Sequence, residues 1–304
     1  MSNEIVVTDR ITKRYGSQTV VDSVDLHVRG GEVYGFLGPN GAGKTTTLRM
    51  LVGLVRPTTG SARVFGRPPG DPAAAARTGV LIESPGFYPY LSGRENLRVL
   101  ARYRGLGERD VDDALHRVGL AERAADRYRT YSLGMKQRLG VGAALLGEPE
   151  LLILDEPTNG LDPAGMAEMR VLVVALADHG HAVLLSSHML AEVQQVCDRV
   201  GVISHGRLVT ESTVTELRGD SRLLLRAEPR DRAYATVAEF VEPAAIGRDG
   251  DGLVVDIAAG RTPVLVQRLV DAGVDVYELT RRERTLEEVF FQMTADVFES
   301  EELS

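Results

Sequence analysis

Hydrophobic residues occur in short blocks along the first two thirds of the chain. Turn-forming residues and longer stretches with helical spacing separate these blocks, which is the pattern of an α/β domain. The segments that predict strands are EIVV, VDLHV, EVYGFL, SARVF, GVLIES, LLILDEP, AVLLSSH and RVGVIS. We therefore predict an α/β domain over residues 1–219.

Residues 92–147 interrupt this alternation, because they contain no convincing strand and predict several helices. Ser92 and Glu95 have the spacing of a capping box, in which two side chains satisfy backbone N–H groups at the start of a helix. The stretches ERDVDDALHRVGL and MKQRLGVGAALLG continue the helical pattern. The sequence thus predicts a helical subdomain inserted into the α/β core.

A second and smaller α/β pattern occupies residues 220–304. Its predicted strands are RLLLRAE, GLVVDIA and VDVYELT, and its predicted helices are DRAYATVAEFV, TPVLVQRLVDAG and TLEEVFFQM. The segment EPAAIGRDGDG inside this pattern is rich in turn-forming residues. We predict a separate accessory α/β domain, with a ferredoxin-like arrangement as the candidate fold and no catalytic group of residues.

Composition narrows the classes of function. The chain of 304 residues carries a formal net charge of −8, and binding to nucleic-acid phosphates requires a basic face, so we expect no nucleic-acid partner. The single cysteine, Cys197, cannot form an intramolecular disulfide, which favours a reducing, cytoplasmic location. The N-terminus has no apolar signal core, and no apolar run approaches the roughly 18 residues of a membrane-spanning helix.

The segment LGPNGAGKTTTL, residues 37–48, lies between a predicted strand and a predicted helix. It matches the phosphate-binding loop pattern, in which two glycines four residues apart precede a lysine and a serine or threonine. Backbone N–H groups of such a loop and the start of the following helix bind phosphate oxygens. Lys44 would contact the β- and γ-phosphates, and the Thr45 hydroxyl would bind Mg²⁺. The predicted nucleotide-binding residues of the loop are Gly38, Pro39, Asn40, Gly41, Ala42, Gly43, Lys44, Thr45 and Thr46.

Two carboxylates follow the aliphatic segment LLIL, at the end of a predicted buried strand. Asp155 is predicted to hold Mg²⁺ through its water shell, and Glu156 to act as the general base for the attacking water. The Asn-Lys-x-Asp motif that reads guanine is absent from the sequence. The sequence therefore favours ATP as the nucleotide.

The segment YSLGMKQ, residues 131–137, resembles the signature segment of the ATP-binding cassette (ABC) proteins, usually written LSGGQ. Ser132 and Gly134 match its core, and the KQR that follows continues as in the family. The resemblance extends over residues 4 to about 215 and explains the helical insertion. It implies that Ser132 and Gly134 contact the γ-phosphate bound by the opposite protomer, so that the site is complete only in a dimer.

Three further matches follow in the order that the family requires. NGLDP at residues 159–163 resembles the D-loop and implies that Asp162 crosses the dimer interface. LLSSH at residues 184–188 places His188 at the position of the family's γ-phosphate-contacting histidine. Tyr15 stands where an aromatic residue stacks on adenine.

The sequence departs from the family at one position. Glu83 replaces the glutamine that senses Mg²⁺ and the membrane partner, and a carboxylate can still coordinate Mg²⁺ but adds a charge. This substitution resembles the cassette subunits of exporters that protect bacteria from lantibiotics and related antibiotics. The aromatic residues within residues 83–91 suggest a docking site for a permease.

The family resemblance implies a P-loop ABC-type ATPase core with a helical signature subdomain and a small C-terminal α/β domain. It further implies an ATP-hydrolysing subunit that works as a homodimer, or with a second cassette subunit, on the inner face of the cell membrane. A separate polytopic permease would then export an antibiotic, a peptide or another drug-like molecule. The alternatives are a soluble cassette ATPase acting on DNA or ribosomes, and a small-molecule kinase, which would leave His188 and the signature segment without a role.

Overall fold

The computed structural model describes residues 3–83, 86–218 and 222–282. The described residues form two compact units, one ending at Val214 and the other beginning at Thr215. The domain boundary predicted after residue 219 lies outside the described residues.

The first unit contains ten strands and the helices that connect them among its described residues. The strands are β1 (Glu4–Tyr15), β2 (Gln18–Val24), β3 (His27–Arg29), β4 (Val33–Leu37), β5 (Thr59–Val64), β6 (Thr78–Leu81), β7 (Leu151–Asp155), β8 (Ala182–Ser187), β9 (Arg199–Ser204) and β10 (Arg207–Thr213). The helices are α1 (Lys44–Leu51), α2 (Pro72–Ala76), α3 (Gly93–Tyr103), α4 (Glu108–Arg117), α5 (Leu133–Leu145), α6 (Pro163–Asp178) and α7 (Leu190–Val196). Helix α8 (Val214–Arg218) begins where this unit ends.

A six-stranded sheet with the order β10-β9-β4-β8-β7-β6 forms the centre of the first unit. Strands β9, β4, β8, β7 and β6 are parallel to their neighbours, and β10 adds an antiparallel edge. Every residue of β4, β7 and β8 is buried, as expected for parallel strands covered on both faces. Because β4, β8 and β7 are adjacent and parallel, the residues that follow them meet at one edge of the sheet, where ligands of α/β proteins bind.

An antiparallel sheet covers one side of this core. Strand β1 pairs with β2, β3 and β5. The Thr8 hydroxyl donates to Val24 O at 2.9 Å and accepts from Leu26 N at 2.7 Å, so a side chain continues the pairing where the VDLHV segment leaves the sheet. The predicted strand in this segment therefore begins later than expected, at His27.

Helix α7 packs closely on the central strand β4. A Cβ atom at Gly35 would lie 2.8 Å from Val193 Cγ1 and 2.9 Å from Cys197 Sγ, so only glycine permits this approach. Burial raises the pKa of the Cys197 thiol, which agrees with its interpretation as a small buried side chain. The close contact fixes the position of α7 relative to the adjacent ends of β4 and β8.

Residues 92–147 form helices α3, α4 and α5 with two short 3₁₀ turns, and contain no strand. The predicted capping box is confirmed at the start of α3. Glu95 N donates to Ser92 Oγ at 3.1 Å, and Ser92 N donates to Glu95 Oε2 at 2.7 Å. The backbone N–H of Ser92 lowers the pKa of the Glu95 carboxyl, because the hydrogen bond favours the charged form.

The second unit has its own sheet and core. Its strands are β11 (Arg222–Glu228), β12 (Ile246–Asp249), β13 (Gly252–Asp256) and β14 (Asp275–Arg282), and its helices are α9 (Arg230–Ala238) and α10 (Thr262–Asp271). The sheet has the order β12-β13-β11-β14 and every pair is antiparallel. Within the turn-rich segment EPAAIGRDGDG, β12 and the start of β13 form a hairpin around Gly250. The predicted helix TLEEVFFQM lies outside the described residues.

Candidate functional site

The loop between β4 and α1 depends on two of its glycines. A Cβ atom at Gly38 would lie 2.3 Å from Ile203 O, and one at Gly43 would lie 2.7 Å from Val20 O. Gly41 and Gly43 also have φ angles of +82° and +105°, in the left-handed region that glycine adopts without strain. The loop therefore follows a path close to neighbouring backbone that larger residues would block, and it leads directly into the first turn of α1.

Lys44 is the first residue of α1 and is 5% exposed. Its Nζ donates to Gly38 O at 2.7 Å and to Pro39 O at 3.2 Å. The same Nζ lies 3.1 Å from Glu156 Oε1. The loop's own carbonyl groups thus orient the ammonium toward the end of β7.

The end of β7 presents two carboxylates in different settings. Asp155 is buried and accepts a hydrogen bond from Ser186 Oγ at 2.5 Å. The same Ser186 oxygen accepts from the backbone N–H of Glu156 at 2.9 Å. Glu156 has a φ of 49°, so the chain turns sharply there and directs its side chain away from that of Asp155. Ser186 on the adjacent strand β8 therefore fixes both residues at once.

Sequence reasoning missed Ser186. Its signal was a pair of hydroxyl side chains at the end of an otherwise aliphatic strand, in LLSSH. Buried polar side chains require partners, and a neighbouring strand that ends in two carboxylates supplies them.

We predict that Ser186→Ala destabilises the chain by about 1–3 kcal/mol, because buried Asp155 and the Glu156 N–H lose their partner. Urea denaturation of the full chain measures the change. Ser17→Ala, at an exposed position, is the matched control and should leave the free energy of unfolding within about 0.5 kcal/mol of the wild type. Equal stability of Ser186→Ala and the wild type would contradict the structural role of this hydroxyl.

His188 completes the group of side chains around Glu156. Its Nδ1 lies 2.7 Å from Glu156 Oε2. Glu156 therefore contacts Lys44 through one oxygen and His188 through the other. The structure brings Lys44, Asp155, Glu156 and His188 together, although they come from three separate parts of the sequence.

Three other predicted residues lie in α1 or shortly after β6. Thr45 and Thr46 occupy the first turn of α1 and are half-buried. Glu83 has a left-handed φ of 63°, and its carboxylate forms an ion pair with Arg49 of α1. No local pattern in the sequence indicates Arg49 as the partner of this carboxylate.

The remaining predicted residues have contacts of their own. Tyr15 ends β1 with its ring half exposed, and Lys13 Nζ lies 5.0 Å from the ring centroid. Ser132 is the N-cap of α5 and accepts from Met135 N at 3.2 Å. Gly134 lies in the first turn of the same helix. Asp162 is the N-cap of α6 and accepts from Gly165 N at 3.0 Å.

The donor set at the ends of β4 and β7 suits Mg²⁺. Hydroxyl and carboxylate oxygens from Thr45 and Asp155 are the hard ligands that this ion prefers. The described residues contain no group of three or more His, Cys, Asp or Glu side chains that could hold a metal ion by themselves. Mg²⁺ at Thr45 and Asp155 would share its ligands with phosphate oxygens, as is usual for nucleotide sites. Within the described ranges, no helix has the length and apolar character needed to span a membrane.

A strand, a glycine loop with a buried lysine, a helix and a neighbouring strand ending in Asp-Glu define a P-loop nucleotide-binding protein. Comparison with known protein families identifies the family within this class. Residues 21–159 match the family model described as ABC transporter. The chain belongs to the ATP-binding proteins of the ABC transporter family.

Curated relatives cover most of the chain. The bacitracin transport ATP-binding protein BcrA of Bacillus licheniformis is 41% identical over 300 residues, 96% of this chain and 98% of that protein. The daunorubicin resistance ATP-binding protein DrrA3 of Streptomyces coeruleorubidus is 37% identical over an alignment of 309 positions, gaps included, which covers 97% of this chain and 98% of that protein. The lantibiotic transport ATP-binding protein SrtF of Streptococcus pyogenes is 39% identical over 201 residues, 66% of this chain and 87% of that protein.

Solved structures agree with this assignment. A structure described as the ATP-binding subunit of an ABC transporter superposes with a TM-score of 0.63 and 30% sequence identity, and covers 70% of this chain and 92% of that one. The cbiO1 protein of Clostridium perfringens superposes with a TM-score of 0.64 and 26% identity, and covers 71% of this chain and 90% of that one. The predicted α/β fold of an ABC-type ATPase is confirmed.

Proposed function

We propose that this chain hydrolyses ATP and uses the cycle to energise a separate membrane permease that exports an antibiotic, a peptide or a similar drug-like molecule. The observation that carries the proposal is Glu156, held between Lys44 and His188 at the edge of the central sheet. The relatives named for bacitracin transport, daunorubicin resistance and lantibiotic transport support export of this class of molecule.

The proposed chemistry assigns one task to each residue. The loop residues 38–46 bind the phosphates with their backbone N–H groups, and Lys44 neutralises the β- and γ-phosphate charge. Glu156 accepts the proton of the attacking water, and His188 holds the carboxylate and contacts the γ-phosphate. Thr45 and Asp155, with Glu83 as a further oxygen donor, would hold Mg²⁺, which supplies charge neutralisation between the phosphates.

A triphosphate would change the partners of Lys44. Its ammonium lies 3.1 Å from Glu156 Oε1, and phosphate oxygens compete with this carboxylate for the same cation. When Lys44 turns to the phosphates, Glu156 keeps its contact with His188 and becomes free to accept a proton. ATP binding itself would thus prepare the general base.

We propose that two cassettes form the working unit, either two copies of this chain or this chain with a second cassette subunit. Ser132 and Gly134 begin a helix whose first N–H groups can receive phosphate oxygens. Asp162, which is predicted to cross the dimer interface, is the N-cap of α6. Tyr15 offers a half-exposed ring for adenine. Closing around ATP and opening after hydrolysis would drive the permease.

The segment predicted to dock the permease presents aromatic side chains on a fixed backbone. Buried Asn96 accepts from Tyr88 N at 2.7 Å and donates to Tyr88 O at 3.1 Å. Phe87 packs against Tyr128, with ring centroids 5.2 Å apart. Tyr88 and Tyr90 are 46% and 66% exposed, with ring centroids 5.8 Å apart. Exposed aromatic residues on a rigid segment are typical anchors of protein interfaces. Docking there would hold the chain at the cytoplasmic face of the membrane.

The test is purification of the tagged chain from gently solubilised native membranes, followed by mass spectrometry. We expect a polytopic membrane protein to copurify with the wild type. Tyr90→Ser should reduce its recovery at least about fivefold, because truncation of an interface aromatic costs more than about 1 kcal/mol. Tyr103→Ser, at an 87% exposed position on α3, is the matched control and should retain the partner.

Two results would contradict the proposal at different levels. Equal recovery of the membrane protein with Tyr90→Ser and Tyr103→Ser would remove the docking segment from the interface. Recovery of the wild type only with ribosomes or nucleic acid would overturn transport and favour the soluble cassette ATPase.

A further inference from the structure

Glu192 is a buried carboxylate that was not among the predicted site residues. It contacts the two chain segments that carry Glu156 and His188. Glu192 lies on α7 and is 6% exposed. Its Oε2 accepts from Thr158 Oγ1 at 2.6 Å and lies 3.4 Å from Ser187 Oγ, which also donates to it. Its Oε1 is buried and has no hydrogen-bond partner among the residues that the structure describes. A buried carboxylate with only one satisfied oxygen is unfavourable for folding, so its position requires an explanation.

Both partners of Glu192 stand next to reactive residues in the sequence. Thr158 follows Glu156 by two positions, in a turn closed by the bond from Asn159 N to Glu156 O at 3.0 Å. Ser187 directly precedes His188, and its carbonyl accepts from Gly38 N at 3.2 Å. The carboxylate therefore links the turn after β7 to the end of β8, and through Ser187 to the start of the phosphate-binding loop.

We infer that Glu192 is a positioning residue, which sets the contact between Glu156 and His188 through Thr158 and Ser187. This inference rests on the proposed function. The Glu156–His188 contact of 2.7 Å depends on the relative placement of the turn after β7 and the end of β8. Through Glu192 of α7, the bonds from Thr158 and Ser187 tie side chains of these two segments together. Displacement of a catalytic group by about 1 Å can reduce a rate by about a hundredfold.

A purely structural role is the competing explanation. Glu192 occupies the first turn of α7, where a negative charge stabilises a helix. In that case, loss of the Thr158 hydroxyl would affect the stability of the chain and leave the rate of hydrolysis per folded molecule unchanged. The two roles therefore differ in a measurable quantity.

The test compares Thr158→Val, which has the same shape but no hydroxyl, with Thr158→Ser, which keeps the hydroxyl. In the full chain, we expect Thr158→Val to reduce kcat for ATP hydrolysis at least about tenfold, with ATP affinity unchanged within about twofold. Thr158→Ser should recover most of the wild-type kcat. Rates are expressed per ATP-binding site, titrated with a fluorescent ATP analogue, so that loss of folded protein does not count as loss of rate.

A second variant tests the other end of the bond. Glu192→Gln should reduce kcat to a similar extent, because the amide weakens the contact with the Thr158 hydroxyl. The double variant Glu192→Gln/Thr158→Val should be no slower than the slower single variant, since both changes break one interaction. Multiplicative losses in the double variant would overturn the inference.

The remaining outcomes separate this inference from the proposed function. If the wild type does not hydrolyse ATP, the proposed function fails and the inference with it. If the wild type is active and Thr158→Val keeps its kcat, only the inference fails. Equal losses of kcat in Thr158→Val and Thr158→Ser, or a parallel loss of ATP affinity, would show that the Thr158 hydroxyl does not set the rate through Glu192, and would overturn positioning.

Discussion

Glu156→Gln should abolish ATP hydrolysis, with a loss of about a hundredfold or more, while ATP binding remains. Glutamine has the same shape, and its amide oxygen can still accept a hydrogen bond from Lys44, whose Nζ lies 3.1 Å from the carboxylate. An amide cannot take the proton of the attacking water, so the chemical step stops. The variant removes a negative charge next to the γ-phosphate and should bind ATP at least as tightly as the wild type.

Hydrolysis is measured as phosphate release, and dimer formation by size-exclusion chromatography with ATP and Mg²⁺. If the closed dimer is the working unit, Glu156→Gln should accumulate as a dimer that the wild type forms only briefly. Glu150→Gln is the matched control, because it makes the same substitution immediately before β7, at an exposed carboxylate paired with Arg77. Full activity of Glu156→Gln would exclude this residue as the general base.

The residues proposed to carry the chemistry could be predicted from the sequence, because each lies in a short local pattern. The glycine loop identifies Lys44, and the aliphatic segment before Asp155 and Glu156 predicts a strand end. The structure brings these residues together with His188, as adjacent parallel strands require. Local sequence patterns are sufficient to predict site residues that lie at the end of a buried strand.

The residues that hold the chemistry in place were not accessible in this way. Ser186, Glu192 and Arg49 act through partners 30 or more residues away in the chain. A serine or a glutamate on a helix has many ordinary roles, and only the packing of α7 against β4 brings Glu192 to Thr158. Sequence patterns predict helices, strands and turns from the spacing of apolar residues. Hydrogen bonds between distant parts of the chain produce no regular spacing in the sequence.

The strands that sequence reasoning missed share a second cause. Strands β2 and β10 and the second half of β1 are rich in polar residues, because part of their surface faces solvent. Gly16 and the pair His205–Gly206 supply the left-handed turns that connect them to the preceding segments. The hairpin at β12 was missed for the same reason, since its exposed residues resemble a loop. Apolar periodicity predicts the buried parallel strands and misses these polar, partly exposed strands.

The ion pair between Glu83 and Arg49 bears on the one departure from the family pattern. A carboxylate at this position adds a negative charge close to the phosphate-binding helix, and Arg49 of that helix offsets it. Both side chains are partly solvent-accessible, so the pair contributes little to stability. If Glu83 is an oxygen donor for Mg²⁺, as proposed above, the ion pair with Arg49 would offset the negative charge that this carboxylate adds.

Lys44→Met should reduce ATP affinity by about a hundredfold and remove hydrolysis. The substitution keeps the length of the side chain and removes the ammonium, whose hydrogen bond to a charged partner is worth about 1.5–3 kcal/mol. It also leaves Glu156 without the cation at 3.1 Å, so that the carboxylate repels the incoming γ-phosphate. The lost attraction of Lys44 for the phosphates and the new repulsion by Glu156 both lower the affinity for ATP.

Isothermal titration of ATP separates these two contributions. The double variant Lys44→Met/Glu156→Gln should recover part of the affinity lost in Lys44→Met, because it removes the repelling carboxylate and leaves the loop unchanged. Arg109→Met is the control for removal of a surface cation, since the side chain of Arg109 is 93% exposed on α4. Wild-type affinity in Lys44→Met would show that the loop does not bind the triphosphate. Equal affinity of the single and double variants would show instead that Glu156 does not face the γ-phosphate, and would contradict the exchange of partners at Lys44 that prepares the general base.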